Sequence, residues 1–422
     1  MKRLIRFKNT YLILVTELII LLFLLSSFDS IGVKNLNTVK SSKEEGRMAS
    51  DSLIILPAAD LMNAYLPVLK GKKIAVVANQ TSIVQKGSRP DEQSFTHLID
   101  TLLAHDIQIE KVFAPEHGFR GRIDAGEKVA DDKDIKTGLP IISLYGKNKK
   151  PAPDQLKGIE YVLFDIQDVG VRFYTYISTL SLVMEACAEM GIPLLVLDRP
   201  NPNGHYIDGP VLESDYSSFV GMHEVPLVYG MTIGEYALMV NGEGWLKDQV
   251  QCDLKIIKTL NYSHTSVYSL PVRPSPNLPN DQSINLYPSL GFFEGTIINA
   301  GRGTEFQFQR YGAPFFPENQ FFYTPESNFG AKYPKFKGEK CFGVDLSITK
   351  QQSKVNLVWL IDAFQKTPKD QSFFGETFTI HAGNGKLRQQ IESGMTSEQI
   401  RESWKADLES FKKIRDKYLL YP

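Results

Sequence analysis

The chain has only three cysteines, Cys187, Cys252 and Cys341, an odd number without paired spacing. That argues against a disulfide framework or a zinc ribbon and makes them small core residues. Net charge is equally scarce: 47 Lys+Arg against 48 Asp+Glu leave −1 at pH 7, so no basic field attracts nucleic acid. The dinucleotide fingerprint G-x-G-x-x-G is missing; at Gly301-Arg302-Gly303 its third glycine is replaced by Phe306, and a nicotinamide cofactor is not expected. G-x-x-x-x-G-K-[ST] and G-x-S-x-G do not occur either, which removes the usual signals for a phosphate loop and a serine-hydrolase elbow. No His/Cys/carboxylate cluster has metal-ligand spacing, so neither a metal nor any other cofactor is implied. Internal repeats are also missing.

What the chain does have is length. Its 422 residues, 42% hydrophobic and 23% charged, suffice for two domains with real cores. Lys2, Arg3, Arg6 and Lys8 precede an apolar run, Tyr11–Leu25, broken only by Thr16 and Glu17. This is the layout of a signal peptide, with an uncleaved N-terminal membrane anchor as the alternative. No cysteine follows for lipid attachment, and the Ser-, Lys- and Asn-rich stretch to Ser50 reads as a tether. The expected location is therefore outside the cytoplasm, periplasmic or secreted.

From residue 51 the pattern alternates strand and helix. Strands are expected at 72–78, 107–114, 140–143, 159–166 and 192–197, with helices at 96–105 and 176–190, which predicts an α/β fold with a Rossmann-like, doubly wound parallel sheet. Thr232 can cap a helix through Val240, and Cys252–Ile257 is a further strand. A proline- and asparagine-rich connector at 271–288 sets the boundary between a domain of residues 51–270 and a smaller C-terminal α+β domain, 271–422. In the second domain, strands are expected at 292–299 and 342–348, and helices at 356–365 and 397–418.

The densest chemistry lies in Val112–Glu127. A buried-strand run stops at Pro115-Glu116-His117-Gly118, and the loop beyond carries Glu116, His117, Arg120, Arg122, Asp124 and Glu127. Loops past the carboxyl ends of parallel strands form the ligand crevice, so Glu116 is the first candidate catalytic carboxylate; a turn cap or a pair with Arg120 is the structural alternative. His117 can orient a carboxylate or contact ligand. Asp165 closes another strand at the same edge, and Arg172 and Tyr174 beyond it suit an anionic, ring-shaped ligand. Asn201, in a proline-stiffened loop, can read hydroxyl and acetamido groups. Glu294, on an expected strand leading to Arg302, would bring a second carboxylate and a cation to the interdomain cleft, unless the two form a structural pair.

The motifs APEHGFRG (114–121), DAGE (124–127), FDIQDVGVRFYTY (164–176), DRPNPNG (198–204), YGMTIGE (229–235), SPNLPN (275–280), LYPSL (286–290), FEGT (293–296) and GRGT (301–304) together resemble the exo-β-N-acetylmuramidase family of the NamZ type. The resemblance implies a glycosidase that removes non-reducing N-acetylmuramic acid from peptidoglycan fragments in a cleft between the two domains. It implies Glu116 as general acid/base with Glu127 or Glu294 as partner. The lactyl carboxylate of muramic acid would account for Arg120, Arg172 and Arg302 around the site. Muramyl saccharides are the expected partners, with no protein partner; a noncatalytic wall-binding module and a metal-dependent hydrolase are the rival readings.

Overall fold

Alternating side chains along the central strands enter two separate cores. On β1 (Lys73–Ala78), Ala75 and Val77 pack with Phe113, Phe164 and Val196, whereas Ile74, Val76 and Ala78 pack with Val112, Leu163 and Leu195. Both faces are thus apolar, as a parallel sheet covered on both sides requires. The computed structural model describes residues 54–86, 95–120 and 132–422. The N-terminal signal or anchor and tether, and the candidates Arg122, Asp124 and Glu127, lie outside the described residues.

The sheet continues through β2 (Gln108–Ala114), β3 (Asp132–Lys133), β4 (Pro140–Ser143), β5 (Tyr161–Asp165), β6 (Leu194–Leu197) and β7 (Leu254–Ile257). Their order is β7-β6-β5-β1-β2-β4-β3. All neighbours run parallel except β3, which pairs antiparallel with β4. Helices α1 (Met62–Leu69) and α2 (Leu98–Ala104) cover one face; α3 (Tyr176–Met190) and α4 (Ile233–Gly242) cover the other. The expected doubly wound sheet is present.

Local chemistry sets the helix limits. Gly191, at φ 65°, ends α3 in the left-handed conformation that glycine adopts without strain. Thr232 Oγ1 accepts from the Glu235 amide at 3.2 Å while Glu235 Oε2 accepts from the Thr232 amide at 2.9 Å, a reciprocal cap on α4. Part of the expected connector is instead α5 (Asp281–Leu290), started by Asn280 Oδ1 accepting from the Ser283 amide. Pro288 is tolerated because the Ile284 carbonyl it leaves unserved accepts from Asn203 Nδ2 at 3.1 Å.

The C-terminal part adds a three-stranded antiparallel sheet of β8 (Arg310–Ala313), β9 (Phe322–Tyr323) and β10 (Cys341–Asp345), in the order β8-β10-β9. It shares one continuous core with the α3/α4 face of the large sheet. The strand expected at 292–299 is not there: Gly291–Gly295 is a 3-10 turn continuing α5. Tight approaches force the coil, since a Cβ on Gly291 would stand 2.3 Å from the Phe173 ring and one on Gly295 2.5 Å from the Phe378 backbone. The long C-terminal helix is broken into Ser397–Glu402 and Lys405–Arg415, where Ser403 Oγ donates back to the Ile400 carbonyl at 2.6 Å. The three cysteines are free and buried.

His223 is packed against α3, stacked on Trp245 at 5.7 Å and joined through Nε2 to Ser181 Oγ at 3.0 Å. Burial lowers its pKa to about 4. Its contribution is therefore complete above the unfolded value of about 6.5 and is lost as the pH falls toward 4. Urea titrations should show His223→Gln removing up to about 3 kcal/mol of the stability difference between pH 7 and pH 4.

Candidate active site

The strand order reverses at β1, which marks the crevice where α/β sheets usually bind ligands. Here a buried ion pair bridges the strand ends. Arg199 Nε and Nη2 donate to both oxygens of Asp165 at 2.6 and 2.8 Å, and Nη2 also reaches the Ile83 carbonyl at 3.1 Å. The pair is buried, 3% and 0% exposed at the two side chains, and joins the ends of β5 and β6 to the segment after β1. Asp165 is thereby corrected from a ligand contact to half of a structural ion pair.

Three more candidates are engaged by partners within the protein. Arg172 is fully buried: Nη1 donates to the carbonyls of Pro210 and Val225 at 2.6 and 2.9 Å, and Nη2 to those of His381 and Ala382 at 3.2 and 2.7 Å. Burial lowers its pKa to about 9, yet the last two carbonyls end a short helix, Phe378–Ala382, whose dipole favours a cation there. Asn201 builds a turn, accepting from the Asn203 amide at 2.8 Å and donating to the Met231 carbonyl at 2.8 Å. Arg120 forks Asp134 at 2.9 and 2.7 Å. Desolvation of Asp134 is outweighed by Arg120 and Thr137, and its pKa falls to about 2.

The remaining described candidates converge one strand over, beyond β2. Glu116, His117 and Tyr174 line a narrow cavity of about 160 Å³ together with Tyr145, Thr175, Tyr287, Glu294 and His381. It is walled by Phe173, Phe308 and Leu278. Glu116 is half-buried and faces this space; Thr175 Oγ1 donates to its carboxylate at 2.8 Å. Tyr145 also hydrogen-bonds it, and burial together with that negative charge raises the Tyr145 phenol well above its ordinary pKa, so it remains a donor. His117 takes a left-handed conformation, φ 69°, and is buried. Tyr174 donates to the Pro274 carbonyl at 2.6 Å and offers its ring to the cavity.

Glu294 lies on the 3-10 turn and joins this cavity to a wider one of about 570 Å³, which also holds Arg302, Lys332, Tyr333, Lys335 and the shared His381. Arg302 Nη1 donates to Glu294 Oε1 at 2.7 Å, but the two side chains are 29% and 26% exposed. The pair therefore faces solvent-accessible space rather than the core. Burial, then the charges of Glu294 and Glu116, raise the Tyr287 phenol, which places both carboxylates around one ring. Lys335, half-buried beside Glu294, has its pKa lowered by desolvation to about 8.

Two carboxylates around an aromatic-walled slot suit acid/base work on a sugar. Among the described residues, no group of three His, Cys, Asp or Glu could hold a metal ion. Tyr145 follows a strand end and could have been flagged on that ground; Tyr287 sits in the quoted LYPSL motif. His381, in the short helix Phe378–Ala382, and Lys335, in an irregular segment, carry no local signal.

The family profile described as "Exo-beta-N-acetylmuramidase NamZ, N-terminal" matches residues 74–282, and its C-terminal counterpart matches 285–421. The chain belongs to the NamZ family. A Bacillus subtilis (strain 168) protein named peptidoglycan beta-N-acetylmuramidase NamZ is 40% identical over 383 residues, 86% of this chain and 90% of that protein. Two crystal structures of DUF1343 family proteins from Bacteroides fragilis NCTC 9343 share the fold. One has 42% identity and a TM-score of 0.78, the other 28% and 0.73; each match covers 87% of this chain and 99% of the other. In this NamZ family member the narrow cavity draws Glu116 and Thr175 from the N-terminal match and Tyr287, Glu294 and His381 from the C-terminal one.

Proposed function

We propose that this protein is an exo-β-N-acetylmuramidase, hydrolysing the glycosidic bond of a non-reducing terminal N-acetylmuramic acid in peptidoglycan fragments. The observation that carries the reading is that Glu116 and Glu294, from the two halves of the family match, line one slot. Glu116 is the general acid/base: Thr175 and Tyr145 hold its carboxyl toward the slot, where it delivers a proton to the departing sugar oxygen. Glu294 is the partner carboxylate, oriented by Arg302. The sugar ring lies against aromatic walls, and Arg302, in the wider cavity, takes the lactyl carboxylate. His117 and Tyr174 complete the lining. Peptidoglycan lies outside the cytoplasm, so the reading includes export through the charged head and apolar run at residues 2–25.

The test is incubation of the protein, recovered from the extracytoplasmic fraction of expressing cells, with a disaccharide bearing non-reducing N-acetylmuramic acid. Release of free N-acetylmuramic acid, resistant to chelator, is expected. Binding without release would instead identify a noncatalytic wall-binding protein, and loss of activity on chelation a metal-dependent hydrolase.

A further inference from the structure

The carbonyls around the Glu294 turn meet at one cation. Lys335 Nζ donates to the carbonyls of Phe293 at 2.8 Å, Ile298 at 3.2 Å and Glu294 at 3.4 Å, and also to that of Thr296. An ammonium has three hydrogens, so four acceptors use its full donor capacity. The Phe293 carbonyl also accepts from the Thr296 amide and hydroxyl, each at 3.0 Å, whereas those of Glu294, Thr296 and Ile298, at and past the end of the 3-10 turn, have no continuing helix to serve them and meet a lysine from a distant loop. Without the charge, four oxygens would crowd around a point with nothing to oppose their repulsion. The segment would have to splay.

The lysine is itself fixed. Its carbonyl accepts from Asn299 Nδ2 at 2.9 Å. Earlier in the same loop, the Gly330 carbonyl accepts from Asn277 Nδ2 at 2.7 Å and from Arg302 Nη2 at 3.0 Å. Arg302 in turn holds the Glu294 carboxylate. One loop therefore controls Glu294 twice, through its backbone by Lys335 and through its carboxylate by Arg302.

We propose that Lys335 is a positioning residue for Glu294, its ammonium acting as the internal cation of a backbone-carbonyl cage that sets the turn carrying this carboxylate. The role rests on the hydrolase reading above, in which Glu294 works on the sugar. Misplacing a catalytic group by about 1 Å costs up to about 100-fold in rate. Lys335→Ala removes an n-propylammonium-sized piece of the side chain and leaves the cage open.

The experiment measures kcat and KM on the N-acetylmuramic acid disaccharide for wild type and Lys335→Ala, each with and without n-propylammonium or 1-propanol. The expected result is a fall in kcat of about 30- to 100-fold in the folded variant, restored at least about 10-fold by the amine and not by the alcohol. Wild-type kcat in the folded variant, or a loss that the amine does not reverse, would overturn the role. Should the alanine variant not fold, Lys335→Gln, which keeps most of the length and an N–H donor but not the charge, must show the same loss of kcat, and full activity would overturn the role. A wild type that releases no sugar strikes the hydrolase reading itself, and this role with it; an active wild type with an equally active variant strikes Lys335 alone.

Discussion

Glu116→Gln folds normally and loses about 10²- to 10⁴-fold in kcat for release of N-acetylmuramic acid from its disaccharide. The amide oxygen still accepts from Thr175, whose hydroxyl stands 2.8 Å from the native carboxylate, so the loop keeps its anchor. What disappears is the transferable proton. A phenolic leaving group needs that proton less than a sugar alkoxide does, so the loss on a chromogenic aryl muramide should be smaller than on the disaccharide. The comparison separates an acid from a binder: a residue that only holds substrate would weaken both substrates alike. Undiminished disaccharide turnover would remove Glu116 from the mechanism.

Asp165→Asn has its large effect on stability instead. The substitution leaves the Arg199 guanidinium buried without its counter-charge, and the expected loss in urea unfolding is about 3–5 kcal/mol. Replacing both partners, Asp165→Leu with Arg199→Met, should recover most of that loss, because no buried charge remains to be compensated. The kcat per folded molecule should stay near wild type in the double variant, since neither side chain lines the cavity that holds Glu116 and Glu294. A fall in kcat matching that of Glu116→Gln would return Asp165 to the site.

These two carboxylates show why local sequence reads some residues and misreads others. Asp165 ends a parallel strand, Glu116 stands just past the end of another at Ala114, and both sit in the quoted motifs, so position alone gives them equal claims on a crevice. Their fates differ because Arg199, arriving from the next strand end, plugs the switch point beside β1, while Thr175 and Tyr145 leave Glu116 facing open space. Arg172 misleads for a related reason. A guanidinium in a motif reads as an anion binder, but carbonyls also take its two terminal nitrogens when helix and strand ends bring four of them together. The backbone around Glu294 is misread: consecutive phenylalanines imitate a strand, whereas Gly291 and Gly295 let neighbouring elements press the chain into a turn.

The alternation of apolar runs with helical spacing by itself determined the doubly wound sheet, because burial on both faces of parallel strands leaves a pattern within each segment. The motif series determined the family in the same way, and the lack of nucleotide and serine-hydrolase signatures narrowed the chemistry. Tertiary structure alone decided which polar strand ends open onto a cavity, which are sealed by ion pairs, and that Glu294 and His381 share a cavity with Glu116 while Lys335 lines the adjoining one. The physical reason is one of range: a helix cap or strand is specified by residues within a few positions, but a buried charge is satisfied by whichever partner the fold delivers from far along the chain.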